Sequence, residues 1–131
     1  MSPIINPDTS SAVDMSPIEP GTYPAKCTNV EFGLSKKGNP MITPTIEVIV
    51  NGKARTRKAF LVTSGEGAMG FDQLLRACGF EDLADKYRDP SVQPKPDFDT
   101  DQLIGQEFEV VVDQQLYEGQ KRDFIQTYLK R

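Results

Sequence analysis

Three sets of residues have types and spacings that could do chemistry. Gly65, Gly67 and Gly70 in "TSGEGAMGF" fit G-x-G-x-x-G, between an apolar run ending at Val62 and a helix-like run beginning near Phe71. That pattern cradles a dinucleotide where a glycine turn meets a helix N-terminus. Asp97, Asp99 and Asp101 have the spacing that opens a calcium loop. Lys36, Lys37, Arg55, Arg57, Lys58, Lys121 and Arg122, with Asn39, Thr43, Thr45 and Tyr117 among them, combine cations, small hydrogen-bonding side chains and an aromatic ring. Such a set can follow phosphates and stack bases of a single nucleic-acid strand.

The first two sets lack their required context. A dinucleotide turn works within a βαβ unit, yet after the helix-like run no apolar strand follows until about Glu107, and the strands before it look like hairpins. Asp89 falls near the distance of a ribose-binding acid but sits in a proline-containing loop. The glycines therefore read as a turn from a strand into a helix. In the acidic stretch Gln102 stands where a calcium loop needs Gly, and Phe108 where it needs Glu. Those acids read as the start of a helical turn before Leu103, where carboxylates suit the helix dipole. Histidine is absent, which removes the commonest general base and metal ligand. No catalytic residue, metal site or cofactor is expected, and the chain does not read as an enzyme.

The 131 residues allow one domain with a modest core. The net charge of -4 hides an uneven distribution. Residues 1–20 hold three acids and no base, residues 21–62 seven bases against two acids, and residues 63–105 four bases against nine acids. Positive charge concentrated on one part of the fold suits a local anionic partner. Cys27 and Cys78 sit in apolar patterns and read as buried free thiols. The N-terminus lacks a basic start and an apolar core, so it does not read as a secretory signal. With no run near the ~20 apolar residues of a spanning helix, no membrane partner is expected and the cytoplasm is the expected location.

These side chains must be positioned by the elements the pattern predicts. Residues 1–20, rich in Pro, Ser and Asp, read as a flexible arm, and residues 21–131 as the folded domain. Three strand-like runs follow, "GTYPAKCTNVEFG", "PMITPTIEVIV" and "KARTRKAFLV", with turns at "SKKGNP" and at Asn51-Gly52, a type I′ hairpin signal. In the second run Ile46, Val48 and Val50 share one face, and Thr43, Thr45 and Glu47 the other. Phe71, Leu74, Leu75 and Cys78 recur at helical spacing, with Gly79 as the residue after the cap. A second turn is read around Leu83 and Tyr87, then a proline-broken loop. "QEFEVVVDQQ" and "KRDFIQTYL", linked by "LYEG", close the chain as strands. No internal repeat is read. Three strands, a helix and two strands give a mainly β fold, a five-stranded OB-fold-like barrel with a helix between strands 3 and 4; an open α+β sheet is the alternative.

In such a barrel the outer face of strands 2 and 3, flanked by the loops between strands 1 and 2 and between strands 4 and 5, would gather the seven bases, with Thr43 and Thr45 hydrogen-bonding across it. A solvated charged face is the competing reading. Phe32, alternating with Val30, reads as core, and Tyr117, at a loop tip, as a stacking platform.

"GTYPAKCTNVEFGLSKKGNPMI", with its G-x-Y-x-A opening and S-K-K-G-N-P-M turn, resembles small phage-encoded single-stranded DNA-binding proteins of the OB-fold type. "LLRACGF" and "LIGQEFEVVV" extend the likeness over about Gly21 to Leu129. The resemblance implies sequence-tolerant binding and protection of single-stranded DNA in phage replication or recombination, with Ser35 to Asn39 near the DNA path. It implies phage or host replication proteins as partners, and it is compatible with a homo-oligomer. Many such proteins end in an acidic tail, whereas this sequence ends "TYLKR". The alternative is an OB-like protein-protein interaction module of a phage assembly that binds no nucleic acid.

Overall fold

A computed structural model describes residues 2–9 and 16–131. β1 (Gly21–Leu34) pairs antiparallel with β5 (Glu107–Tyr117) along its first half and with β2 (Pro40–Val50) along its second. Between Cys27 and Asn29 the register slips by one residue, leaving Thr28 as a bulge. A bulge bends and twists its strand, so one strand serves both halves of a curled sheet. β3 (Lys53–Lys58) and β4 (Leu61–Val62) both pair with β2, and β6 (Gln120–Leu129) pairs with β5.

The strand order is β3-β2-β1-β5-β6, with β4 continuing β3 along β2, and every pairing is antiparallel. The result is a curled five-strand half-barrel of OB-like form. α1 (Met69–Ala77) and α2 (Glu81–Arg88) lie in sequence between β4 and β5, and α1 packs on β6. With no parallel strand among the described residues, the Gly65–Gly70 stretch has no βαβ unit around it. It is a turn into α1: Gly65 has φ 83°, and a Cβ on Gly70 would lie 3.0 Å from Leu61 Cδ2.

The hairpins follow from their turn residues. Asn51 and Gly52 have φ 52° and 78°, and Glu118 and Gly119 have φ 51° and 80°, the paired positive values of type I′ turns. α1 ends in a Schellman arrangement, with Gly79 N–H donating to the Arg76 carbonyl at 3.2 Å and Phe80 N–H to the Leu75 carbonyl at 2.9 Å. Asp99 accepts from the Asp101 N–H at 3.0 Å and caps the one-turn 3₁₀ segment Thr100–Leu103. Among the described residues no three His, Cys, Asp or Glu side chains are grouped to hold a metal ion, and no helix is long and apolar enough to cross a membrane.

The core lies in the hollow of the half-barrel under α1: Ile42, Ile46, Val48, Phe108, Val110 and Val112 from the sheet, Leu74 and Leu75 from the helix. Phe108 meets Tyr128 edge to face at 5.8 Å. Ile18, within the stretch read as an arm, is 1% exposed and belongs to this core. Phe32 does not belong to it. It sits opposite buried Ile42, on the side its alternation gives, but the ring lines an open groove with Met69 and Phe71 and stays 72% exposed.

Candidate nucleic-acid interface

β2 presents Ile42, Pro44, Ile46 and Val48 to the core, so Met41, Thr43, Thr45 and Glu47 face outward. Directly paired residues of antiparallel strands share a face, which assigns every neighbour. On β3, Lys58 lies opposite Thr45 and Thr56 opposite Glu47; on β4, Val62 lies opposite Met41. On β1, Asn29 faces Thr45 and Glu31 faces Thr43.

The register against β2 is the same for β3 and β4, so Phe60, between them, falls opposite Thr43 on the outer face. Ala59 N–H donates to the Pro44 carbonyl at 3.1 Å. Proline has no N–H to return that bond, and the ladder lapses at Ala59 and Phe60. Phe60 is 68% exposed. An aromatic ring thus stands on the outer face beside Thr43, Thr45 and Lys58, a group of stacking, hydrogen-bonding and cationic chains. The sequence reading does not single out Phe60; counting register from Asn51-Gly52 finds it.

Arg55 and Arg57 are not part of this face. They lie opposite Val48 and Ile46, which makes them core-side residues at the open edge of the half-barrel. Arg57 grips Asp123 of β6 with two bonds of 2.7 Å, Nε to Oδ1 and Nη2 to Oδ2. The Asp123 side chain is 7% exposed. Arg57 first, and the Ile18 N–H after it, hold the Asp123 carboxyl below the usual carboxylate range despite burial; the same pairing raises Arg57. Arg55 donates to the Ser16 carbonyl. The two arginines therefore close the seam between the edge strands β3 and β6, and their place on a shared basic face is corrected.

The remaining cations form two further groups. Lys36 and Lys37 are exposed at the tip of the turn joining β1 and β2. Gly38 closes this turn at φ 81°, Ser35 N–H donates to the Asn39 carbonyl at 2.8 Å, and Asn39 N–H to Ser35 Oγ at 3.1 Å. On the β5–β6 hairpin the Arg122 guanidinium lies 4.9 Å from the centre of the Tyr117 ring, a cation–π pair on its outer side. Tyr117 is 52% exposed. Lys121, opposite Leu116, is on the other side of that hairpin, so it is separated from Arg122. On the concave side a groove of about 770 Å³ runs between Phe32, Met69, Phe71, Tyr87 and Phe98, rimmed by Arg88, Lys95 and the acids Glu66, Asp72 and Asp97.

Fold and site together define a small OB-like β domain with an exposed aromatic on its convex sheet. The chain belongs to the DUF669 family, described as proteins of unknown function, whose family model matches residues 5–130. No curated protein matches the chain.

Proposed function

We propose that the protein binds and protects single-stranded DNA without sequence preference, in phage DNA replication or recombination in the host cytoplasm, as a binding module with no catalytic step. The observation that carries this reading is Phe60, an exposed ring on the outer face of an OB-like sheet, flanked by Thr43, Thr45 and Lys58. A base stacks on Phe60, the threonine hydroxyls bond to base edges or phosphates, and Lys58 with Lys36, Lys37 and Asn39 follows the backbone. Tyr117, held by Arg122, offers a second platform. Every base has a π-face, so such contacts tolerate sequence.

Titration of a labelled oligonucleotide at several salt concentrations tests it. Log affinity is expected to fall linearly with log salt, with a slope of about -0.7 per phosphate neutralised; no binding, or binding indifferent to salt, rejects it. A second reading, an interaction module that engages phage or host proteins, is favoured by the apolar groove beside Phe32 and by Glu31 and Glu47 on the outer face. It predicts partner capture that survives Phe60→Ala.

A further inference from the structure

The segment Ser16-Pro17-Ile18-Glu19-Pro20 fills the seam between β3 and β6. Its one deeply seated side chain is Ile18, 1% exposed. Four of its polar contacts are to main-chain atoms. The Ile18 N–H donates to Asp123 Oδ2 at 2.7 Å, and the Ile18 carbonyl accepts from Gln114 Nε2 at 2.9 Å. The Ser16 carbonyl accepts from Arg55, and the Glu19 carbonyl from the Tyr23 hydroxyl at 2.6 Å. The Glu19 side chain points to solvent. These contacts read an isoleucine and the backbone around it.

No repeat was read in the sequence, yet Ser2-Pro3-Ile4 repeats Ser16-Pro17-Ile18, and a proline closes each segment, at Pro7 and Pro20. The first copy carries the groups these four contacts use, a carbonyl at Ser2, an N–H and carbonyl at Ile4 and a carbonyl at Ile5, and a proline that fixes φ just before the isoleucine. Ile5 would take the solvent-facing place of Glu19. This copy is unseated, with Ile4 99% and Ile5 75% exposed.

We infer that the seam is a docking seat for a Ser-Pro-Ile segment, and that Ser2–Pro7 of this chain is its second occupant, replacing Ser16–Pro20. With Ser2–Pro7 seated, residues 8–20 separate the seam from β1 in sequence. Each residue spans up to ~3.3–3.6 Å, so the return is easily bridged, and closure entropy grows only slowly with loop length. The exchange keeps the seam closed when Ser16–Pro20 is drawn away, and no nucleic acid takes part in it.

Thermal unfolding of full-length variants tests the exchange. Ile4→Ala alone leaves Tm unchanged, because its side chain touches solvent. Ile18→Ala lowers Tm only modestly, since Ser2–Pro7 takes the seat. The double variant is expected to lose several °C more than the sum of the single losses, the signature of coupled sites. Additive losses overturn the inference. A hexapeptide of residues 2–7 at millimolar concentration then raises Tm of the double variant by mass action, and the same peptide with Asp in place of Ile4 does not; equal effects of the two peptides overturn it. Should the double variant not fold, NMR of the wild-type chain carries the test. Peptide-induced shifts at the Gln114 side-chain amide and the Asp123 N–H support the seat, and their absence at millimolar peptide rejects it.

Discussion

β3 is a comparison within six residues. Its core side carries Arg55 and Arg57, its outer side Lys58, and Phe60 continues that outer side beyond the strand end. Arg55, Arg57 and Lys58 have the same nominal charge, but their surroundings divide the work. Arg57 is spent on a carboxylate that is nearly buried, and its fork matches that carboxylate with two bonds. Lys58 stands on an open sheet beside two threonines and a ring. A basic strand is thus two surfaces interleaved, and only the pairing partners tell which residue belongs to which. Removing a seam residue should cost stability and spare binding in the folded molecules; removing an outer residue should do the reverse.

The largest expected effect is at the seam. Asp123→Ala strips Arg57 of its partner and leaves the buried Ile18 N–H without an acceptor. Losing one member of a buried pair costs roughly 3–5 kcal/mol, and because the Arg57 side chain is 30% exposed the lower end applies. Urea unfolding should show this loss, while the salt slope of DNA binding by Arg57→Ala stays at the wild-type value. A reduced slope would return Arg57 to the proposed DNA path and erase the division.

Acid sharpens the same point. The folded-state Asp123 carboxyl lies below its unfolded value of about 3.9, so the folded state binds this proton less readily. Its contribution is fully present above that value and is lost as pH falls through the folded-state pKa. Unfolding midpoints from pH 6 down to about pH 2 should show a loss below about pH 4 that Asp123→Asn largely abolishes. An unchanged acid limb in that variant would mean that other carboxylates hold the fold.

How much of this was legible in the sequence depends on range. Asn51-Gly52 and the alternation of Ile46, Val48 and Val50 are local, and both stand in the fold as read. Gly79 ends its helix because only its own turn decides that. Phe60 was legible too, by counting register from the hairpin, but Pro44 interrupts the ladder without shifting it, and an interruption looks like a phase change in one dimension. The Arg57–Asp123 pair joins residues 66 apart, and nothing near either one announces the other. The same holds for Ile18, whose proline-rich surroundings resemble an unstructured arm until the seam supplies partners. Phe32 was given the right side of its strand, but alternation cannot say where the opposing layer stops.

The middle-sized effect is on the outer face. Phe60→Ala removes the proposed stacking surface, worth ~1–3 kcal/mol per base, which is roughly 5- to 150-fold in affinity. As a side chain 68% exposed, it should change stability by no more than ~0.5 kcal/mol. Oligonucleotide titration beside urea unfolding separates the two quantities. A stability loss without an affinity loss would invert the assignment of the two faces.

The smallest expected effect concerns the hairpin platform. Arg122 sits 4.9 Å from the Tyr117 ring centre with both groups largely open to solvent, where a cation–π contact contributes ~0.5–1 kcal/mol. Arg122→Ala removes that contact and one cation, whereas Arg122→Lys keeps the charge and loses the flat stacking of the guanidinium. If the pair only braces the hairpin, Arg122→Ala lowers stability slightly and leaves the affinity for oligonucleotides unaltered. If Tyr117 receives a base, Arg122→Ala and Tyr117→Ala each weaken binding, and their effects fall short of additivity because they act as one platform. Length provides the discriminating measurement: losing a platform at the edge of the path should matter for long oligonucleotides and vanish for those short enough to cover Phe60 alone.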